Sequence, residues 1–198
     1  MRQAFKRGFK SWCENTSERF RKDLHLKSTD PLNPWGLAVH LGFKVWTPND
    51  IPDLEPDQKR KLLVEKKDFW SATTICDHGK ALIILNSSHS PARQSSSLMH
   101  EISHLIIDHK PARVDVYEDG LLILNSYDSI QEKEAEWFSE TLLLPRSALL
   151  VIKSRRIPEE KVLADYFVSR DMLRMRMDVT GVNRQLNRRV RNARATRP

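Results

Sequence analysis

The sequence has few of the features that mark a secreted or membrane-bound protein. Only two cysteines occur among its 198 residues, Cys13 and Cys76, and they do not form a C-x-x-C pair. This scarcity argues for a reducing compartment and against a zinc site built from cysteines. No apolar run approaches the roughly 18 residues that a transmembrane helix needs, and no apolar segment follows the basic N-terminus. We therefore expect a cytoplasmic protein with neither a membrane span nor a secretory signal.

The excess of positive charge lies at the two ends of the chain and not in its middle. Residues 1–27 hold eight Lys/Arg and three Asp/Glu, and residues 183–198 hold six Arg and no acid. Since the net charge of the whole chain is +7, the remaining residues carry a net −4. Basic ends of this kind can contact nucleic acid or an acidic partner, although solvated termini explain them equally well.

The chain is long enough for one domain with a sizeable core. Helical periodicity dominates, and two hairpins are predicted at residues 70–86 and 111–126. This pattern predicts an α+β fold that is mainly helical, with a small antiparallel sheet and a helical C-terminal segment. We divide the chain into four segments: a basic amphipathic helix over 1–30, a core over 31–156, a helix-turn-helix-like pair over 157–182 and an Arg-rich flexible tail over 183–198.

One predicted helix, which runs to about residue 109, carries a chemical motif. Residues 98–107 contain His-Glu-x-x-His, with His100, Glu101 and His104 at its defined positions. Positions i and i+4 of a helix share a face, so the two imidazoles can bind one metal ion and Glu101 can reach a water on it. The apolar residues between them fall on the opposite face and can pack against a core. An ordinary helix with two surface histidines is the alternative for this motif alone.

Two histidines leave a catalytic zinc site incomplete, because such sites usually have three protein ligands. The extended motif with a Gly and a third His is absent, since Ile107 and Lys110 occupy those places. His109 lies five residues after His104, which on a straight helix is a rotation of about 500°. We therefore expect His109 to face elsewhere, as a histidine near the C-terminal end of the helix dipole.

A second predicted helix, over residues 128–143, offers the missing ligand. Glu132 and Glu136 are four residues apart and share a face, and Ala135 is small enough to permit close approach of the motif helix. A carboxylate on this helix would complete a zinc site of two histidines and one glutamate. Glu136 could then orient a ligand histidine. Glu134 points elsewhere and could be solvated.

Several motifs of the chain, taken in order, resemble the ImmA/IrrE family of bacterial and phage zinc metallopeptidases. The most specific are His-Glu-x-x-His and the pattern Glu-x-x-Ala-x-x-Phe at 132–138, which is followed by Leu-Leu-x-Pro at 142–145. The resemblance covers roughly residues 31–182 and implies a zincin-like fold. The chain departs from the family at Ser103, where Gly is frequent, and at Glu136, where Asn or Asp is frequent.

The resemblance implies a zinc-dependent endopeptidase, with Mn²⁺ as the alternative metal. Its pattern assigns three metal ligands: His100, His104 and Glu132. Glu101 would take a proton from the attacking water and pass it to the leaving amine. Arg93 and Gln94 also match the family pattern, and we expect them to position the start of the motif helix.

Two aspects of catalysis stay open at this point. His89 and Tyr127 are candidates for stabilising an oxyanion, and each also has a structural explanation. An edge strand from residues 70–86 could hold the substrate by strand addition.

Related proteins are similar in cleaving a helix-turn-helix repressor, often encoded nearby, which releases stress, phage or mobile-element genes. The resemblance implies such a protein substrate. The alternatives are a DNA-binding or regulator-binding module with a vestigial metal site, and a toxin or effector that acts on a host protein. Residues 157–182 could themselves contact DNA phosphates through Arg170, Arg174 and Arg176, although packing on the core is the favoured interpretation.

Overall fold

A computed structural model describes residues 5–77, 80–110, 113–116 and 122–185. Across these residues the chain forms eight α-helices and five strands. The helices are α1 (Phe9–Asp23), α2 (Pro34–His40), α3 (Pro56–Arg60), α4 (Pro91–Ile107), α5 (Ser129–Leu143), α6 (Arg146–Ser154), α7 (Glu159–Tyr166) and α8 (Arg170–Val179). The strands are β1 (Lys44–Trp46), β2 (Ala72–Asp77), β3 (Lys80–Leu85), β4 (Arg113–Val116) and β5 (Leu122–Ser126). None of the described helices is long and apolar enough to cross a membrane.

The strands form one sheet in the order β1-β3-β2-β5-β4. Both predicted hairpins are present, as β2–β3 and β4–β5, although their turns at 78–79 and 117–121 lie outside the described residues. The mainly helical α+β fold is confirmed, but the sheet is mixed because β1 pairs in parallel with β3. In the sheet, β3 lies between β1 and β2. It runs parallel to β1 and antiparallel to β2. The hairpin 70–86 is therefore interior, not the edge strand that we predicted for substrate binding.

Helix α4 begins and ends where local chemistry favours it. The Ser90 hydroxyl caps its N-terminus and Pro91 occupies its first turn. On its apolar face, Leu98, Met99 and Ile102 are fully buried. The helix ends at Ile107 because Asp108 adopts a left-handed conformation with φ of 61°. It is thus two residues shorter than the predicted helix.

Helix α5 packs against α4 along much of its length. It begins at a capping box, in which Asp128 Oδ1 accepts hydrogen bonds from the backbone of Ile130 and Gln131 at 2.7 and 2.9 Å. Two small residues suit a close approach of the helices, since Ala135 on α5 and Ser103 on α4 are both fully buried. This pairing places the acidic start of α5 beside the histidines of α4.

Two fully buried arginines tie the flanking helices to the C-terminal end of α5. Arg21 of α1 donates from Nη2 to the Leu142 carbonyl at 2.8 Å. Arg176 of α8 donates to the Leu144 carbonyl from Nε and Nη2, at 3.2 and 3.0 Å, and its Nη2 lies 3.2 Å from Glu14 Oε1. The guanidinium groups bind carbonyls at a helix end, where intrahelical donors run out.

Two of the three arginines of α8 contact other residues of the protein, and the third is exposed. The alternative in which Arg176 contacts DNA phosphates does not fit its side chain, which is buried against α5 as the favoured interpretation of packing on the core requires. Arg170 lies 2.5 Å from Glu159 and 2.7 Å from Glu160, so it joins α8 to α7. Arg174 is exposed. The division of the chain into four segments stays a prediction, and from residue 186 the Arg-rich tail lies outside the described residues.

Replacing Arg176 with Met should lower the free energy of unfolding by about 2–3 kcal/mol, because Leu144 loses charged donors and Glu14 loses its ion pair. Arg174→Met, on the exposed side of the same helix, should change it by less than about 0.5 kcal/mol. Urea denaturation followed by circular dichroism measures both. Equal effects of the two substitutions would contradict the anchoring role of Arg176.

Candidate metal centre

Three side chains from α4 and α5 bring their ligand atoms together. His100 Nε2 lies 3.0 Å from His104 Nε2 and 3.2 Å from Glu132 Oε2. His104 Nε2 lies 3.8 Å from Glu132 Oε1. In a tetrahedral zinc site with bonds of about 2.0–2.1 Å, neighbouring ligand atoms are about 3.3–3.4 Å apart. The spacing and the donor types therefore fit a divalent metal ion held between the two helices.

His104 presents a neutral imidazole to this group. Burial, together with the charges of His100 and His109, lowers the pKa of His104 to about 3. A neutral ring keeps a lone pair on one nitrogen, which is the form that binds a metal. His100 and Glu132 are partly exposed, so the ligand group opens to solvent on one side.

Glu101 lies beside the ligands and is held by the sheet. Thr74 of β2, itself buried, donates from Oγ1 to Glu101 Oε2 at 2.5 Å. Burial raises the pKa of Glu101, and the Thr74 hydrogen bond and the His100 charge oppose that rise. A carboxylate with a raised pKa suits proton exchange near neutral pH. Sequence patterns gave no signal for Thr74, which is 27 residues away along the chain.

A second row of polar side chains lies behind His104. His109 Nδ1 is 3.0 Å from His104 Nδ1, and His109 Nε2 is 3.3 Å from Glu134 Oε2. The side chains of His109 and Glu134 are 5% and 13% exposed. When His109 is neutral, the Glu134 carboxylate, which only accepts, takes its Nε2–H, and His109 Nδ1 accepts from His104 Nδ1–H. This arrangement leaves the lone pair of His104 on Nε2, the atom that faces His100 and Glu132.

The family model of the IrrE N-terminal-like domain matches residues 59–178, more than half of the chain. The chain belongs to this peptidase family. The matched range includes the three candidate ligands and Glu101, and the match confirms the resemblance to ImmA/IrrE metallopeptidases. A search of curated proteins finds no match.

The positions of His109 and Glu134 in this peptidase domain correct two predictions made from the sequence. Straight-helix geometry predicts that His109 faces away from His104, but α4 ends at Ile107. The left-handed Asp108 turns the chain back, and the His109 N–H donates to the His104 carbonyl at 3.1 Å. Glu134, predicted to be solvated, is mostly buried against His109. Both errors come from one backbone conformation that helical periodicity does not reveal.

The two other residues predicted to support the site of the peptidase lie at its margins. Glu136 is exposed on the cavity wall, and within the described residues no hydrogen bond joins it to a ligand histidine. The acidic partner behind the histidines is Glu134 instead. Arg93 donates from Nη2 to Ser71 Oγ at 3.1 Å, so it links the first turn of α4 to the start of β2.

Of the two oxyanion candidates, Tyr127 lies beside the ligands. Its ring stacks on His104, with centroids 3.7 Å apart and an interplanar angle of 20°. Burial and the charge of Glu101 raise the pKa of Tyr127, so the phenol stays protonated and can donate. His89 Nε2 lies 2.8 Å from the Lys67 carbonyl, which gives it a structural place in the loop before α4.

Two of the candidate ligands, His100 and Glu132, line a cavity of about 660 Å³. It is lined by residues of β2, α4, α5 and α8, among them Ala72, Ser97, His100, Glu101, Glu132, Glu136, Glu140 and Met172. A neighbouring cavity of about 450 Å³ continues along α5 and shares Lys133, Glu136, Glu140 and Met172 with the first. Together they offer a peptide a path that runs from the ligand group toward α8.

Proposed function

We propose that the protein is a Zn²⁺-dependent endopeptidase in which His100, His104 and Glu132 hold the metal, with Mn²⁺ as the alternative. The observation that carries the proposal is the convergence of these three donors beside Glu101 in a chain of this peptidase family. A bound Zn²⁺ would supply Lewis acidity, which polarises the scissile carbonyl and lowers the pKa of a water ligand.

The chain's own residues would divide the remaining tasks. Glu101, with Oε2 bound by Thr74, takes the proton of the attacking water at Oε1 and passes it to the leaving amine. Tyr127 offers a phenolic O–H beside His104 for the negative charge that develops on the carbonyl oxygen. His109 and Glu134 hold His104 in the tautomer that leaves Nε2 free to bind.

We infer that the substrate is a transcriptional repressor of the helix-turn-helix type, encoded nearby and acting in a stress, phage or mobile-element response in the cytoplasm. The motif resemblance supports this substrate class. The joined cavities along α5 also support a polypeptide substrate, since they extend beyond the space that one residue fills.

The test is cleavage of the repressors encoded beside the protein. Zinc-loaded protein should cut one of them at one or a few bonds, seen by gel electrophoresis and located by mass spectrometry. A chelator should stop cleavage and added Zn²⁺ should restore it. Intact repressors after incubation with fully zinc-loaded protein would contradict the proposal.

A second function is binding without cleavage, by a DNA-binding or regulator-binding module with a vestigial metal site. The observation that favours it is the positive charge at 1–27 and 183–198. A salt-dependent mobility shift of DNA, without cleavage of any repressor, would support this function. Cleavage of a host protein but of no repressor would point instead to a toxin or effector.

A further inference from the structure

Glu140 is a buried carboxyl group that the proposed reaction does not use. It is 9% exposed, and within the described residues no hydrogen bond or ion pair reaches its carboxylate. It lines both the cavity at the ligand group and the neighbouring cavity along α5. Buried acids in proteins are normally paired, so a carboxylate facing a cavity without a partner indicates a ligand that brings one.

Arg176, whose charge acts on Glu140, does not pair with it. The charge of Arg176 acts on Glu140, but the guanidinium is bonded to the Leu144 carbonyl and paired with Glu14. Burial raises the pKa of Glu140 to about 7, Arg176 opposes the rise and Glu136 adds to it. A cation brought into the cavity would stabilise the charged carboxylate, which burial now disfavours.

The walls around Glu140 suit a long cationic side chain. Glu136 and Asp171 add negative charge to the neighbouring cavity, whereas Lys133 is the basic residue of its lining. Its apolar surface comes from Phe5, Trp137, Met172 and Met175. Lysine and arginine bury an aliphatic stem against such surface and present the charged head to an acid.

The position of Glu140 on α5 sets its distance from the ligand group. Glu132 and Glu140 are eight residues apart, which is about 12 Å along a helix axis. An extended peptide advances about 3.3 Å per residue. In an extended peptide that runs along α5, a side chain that reaches Glu140 therefore belongs to a residue three or four positions from the bond at the ligand group.

We propose that Glu140 forms a subsite for a lysine or arginine side chain of the substrate, three or four residues from the cleaved bond. The subsite rests on the proposed function and names its substrate class: a polypeptide with a basic residue at a fixed distance from the cleavage point. The cationic head pairs with Glu140, and the stem packs against Met172 of α8.

Peptide hydroxamates test the subsite without requiring turnover. The hydroxamate binds the metal, and Arg or its neutral isostere citrulline is placed two to five residues away, in series that extend from either side of the hydroxamate. Calorimetric titration of the zinc-loaded protein should show tighter binding of Arg than of citrulline by about tenfold or more, at three or four residues. Glu140→Gln should remove this preference while leaving affinity for the citrulline probes within about twofold.

The control is Glu18→Gln, an exposed acid on α1 that lines neither cavity, which should keep the full preference. Equal affinity for Arg and citrulline at every position of the wild type would overturn the subsite, whether or not Glu140→Gln folds. A preference that persists in a folded Glu140→Gln variant would also overturn it. Failure of every hydroxamate to bind would instead count against the metal centre, so the two failures are distinguishable.

Discussion

Replacing Glu101 with Gln should lower the turnover of the zinc-loaded protein by about 10²–10⁴-fold and leave its zinc content unchanged. Gln keeps the size of Glu, and its carbonyl oxygen can still accept the hydrogen bond from Thr74. It cannot take a proton from water at neutral pH. Because Glu101 is not among the three converging donors, the metal should bind as in the wild type.

Single-turnover cleavage of the repressor measures the rate, and mass spectrometry of the metal measures its stoichiometry. Glu18→Gln, an exposed substitution of the same chemical kind, should cleave at the wild-type rate. Near-normal cleavage by Glu101→Gln would remove its role as the base. Loss of zinc from that variant would show instead that Glu101 takes part in binding the metal.

Replacing Glu134 with Ala should weaken zinc binding by about 10- to 100-fold, although Glu134 lies outside the ligand group. The substitution removes the acceptor for His109 Nε2–H, so His109 no longer holds His104 in the tautomer with its lone pair on Nε2. Glu134→Gln retains an acceptor oxygen and should fall between Ala and the wild type. Competition with a chromophoric zinc chelator gives the three dissociation constants.

Glu136→Ala provides a matched control for this series, because it removes an exposed acid two residues away on the same helix. Its zinc affinity should stay within about twofold of the wild type. A larger loss for Glu136→Ala than for Glu134→Ala would favour the sequence-based prediction that Glu136 orients a ligand histidine. It would also reject the role of Glu134 and His109 in holding His104. Thermal melting of the metal-free variants checks that Glu134→Ala does not act by unfolding α5.

The site could be predicted from sequence wherever it depends on local helix geometry. His100 and His104 share a face because they are four residues apart, and the structure brings their Nε2 atoms within 3.0 Å. Glu132 comes close to the histidines because α5 packs against α4, and the small side chain of Ala135 indicated that these helices could approach each other. The caps at Ser90 and Asp128 are local in the same way, because each joins residues at most three apart in the chain.

Features that depend on single backbone conformations or distant contacts could not be predicted in this way. The contacts of His109 with His104 and Glu134 depend on the left-handed turn at Asp108. The parallel pairing of β1 depends on a crossover whose outcome local patterns do not specify. Arg176 looks in sequence like the other charges of α8, and its burial depends on a carbonyl 32 residues away at Leu144.

The two buried arginines at the end of α5 limit how far the protein can be trimmed. A fragment over 31–156 would keep the three candidate metal ligands but would lack both Arg21 and Arg176. The carbonyls of Leu142 and Leu144, at the end of the helix that carries Glu132, would then lose their guanidinium donors. A fragment that is to keep this site after transfer to another protein therefore has to include α1 and α8, although neither helix carries a candidate metal ligand.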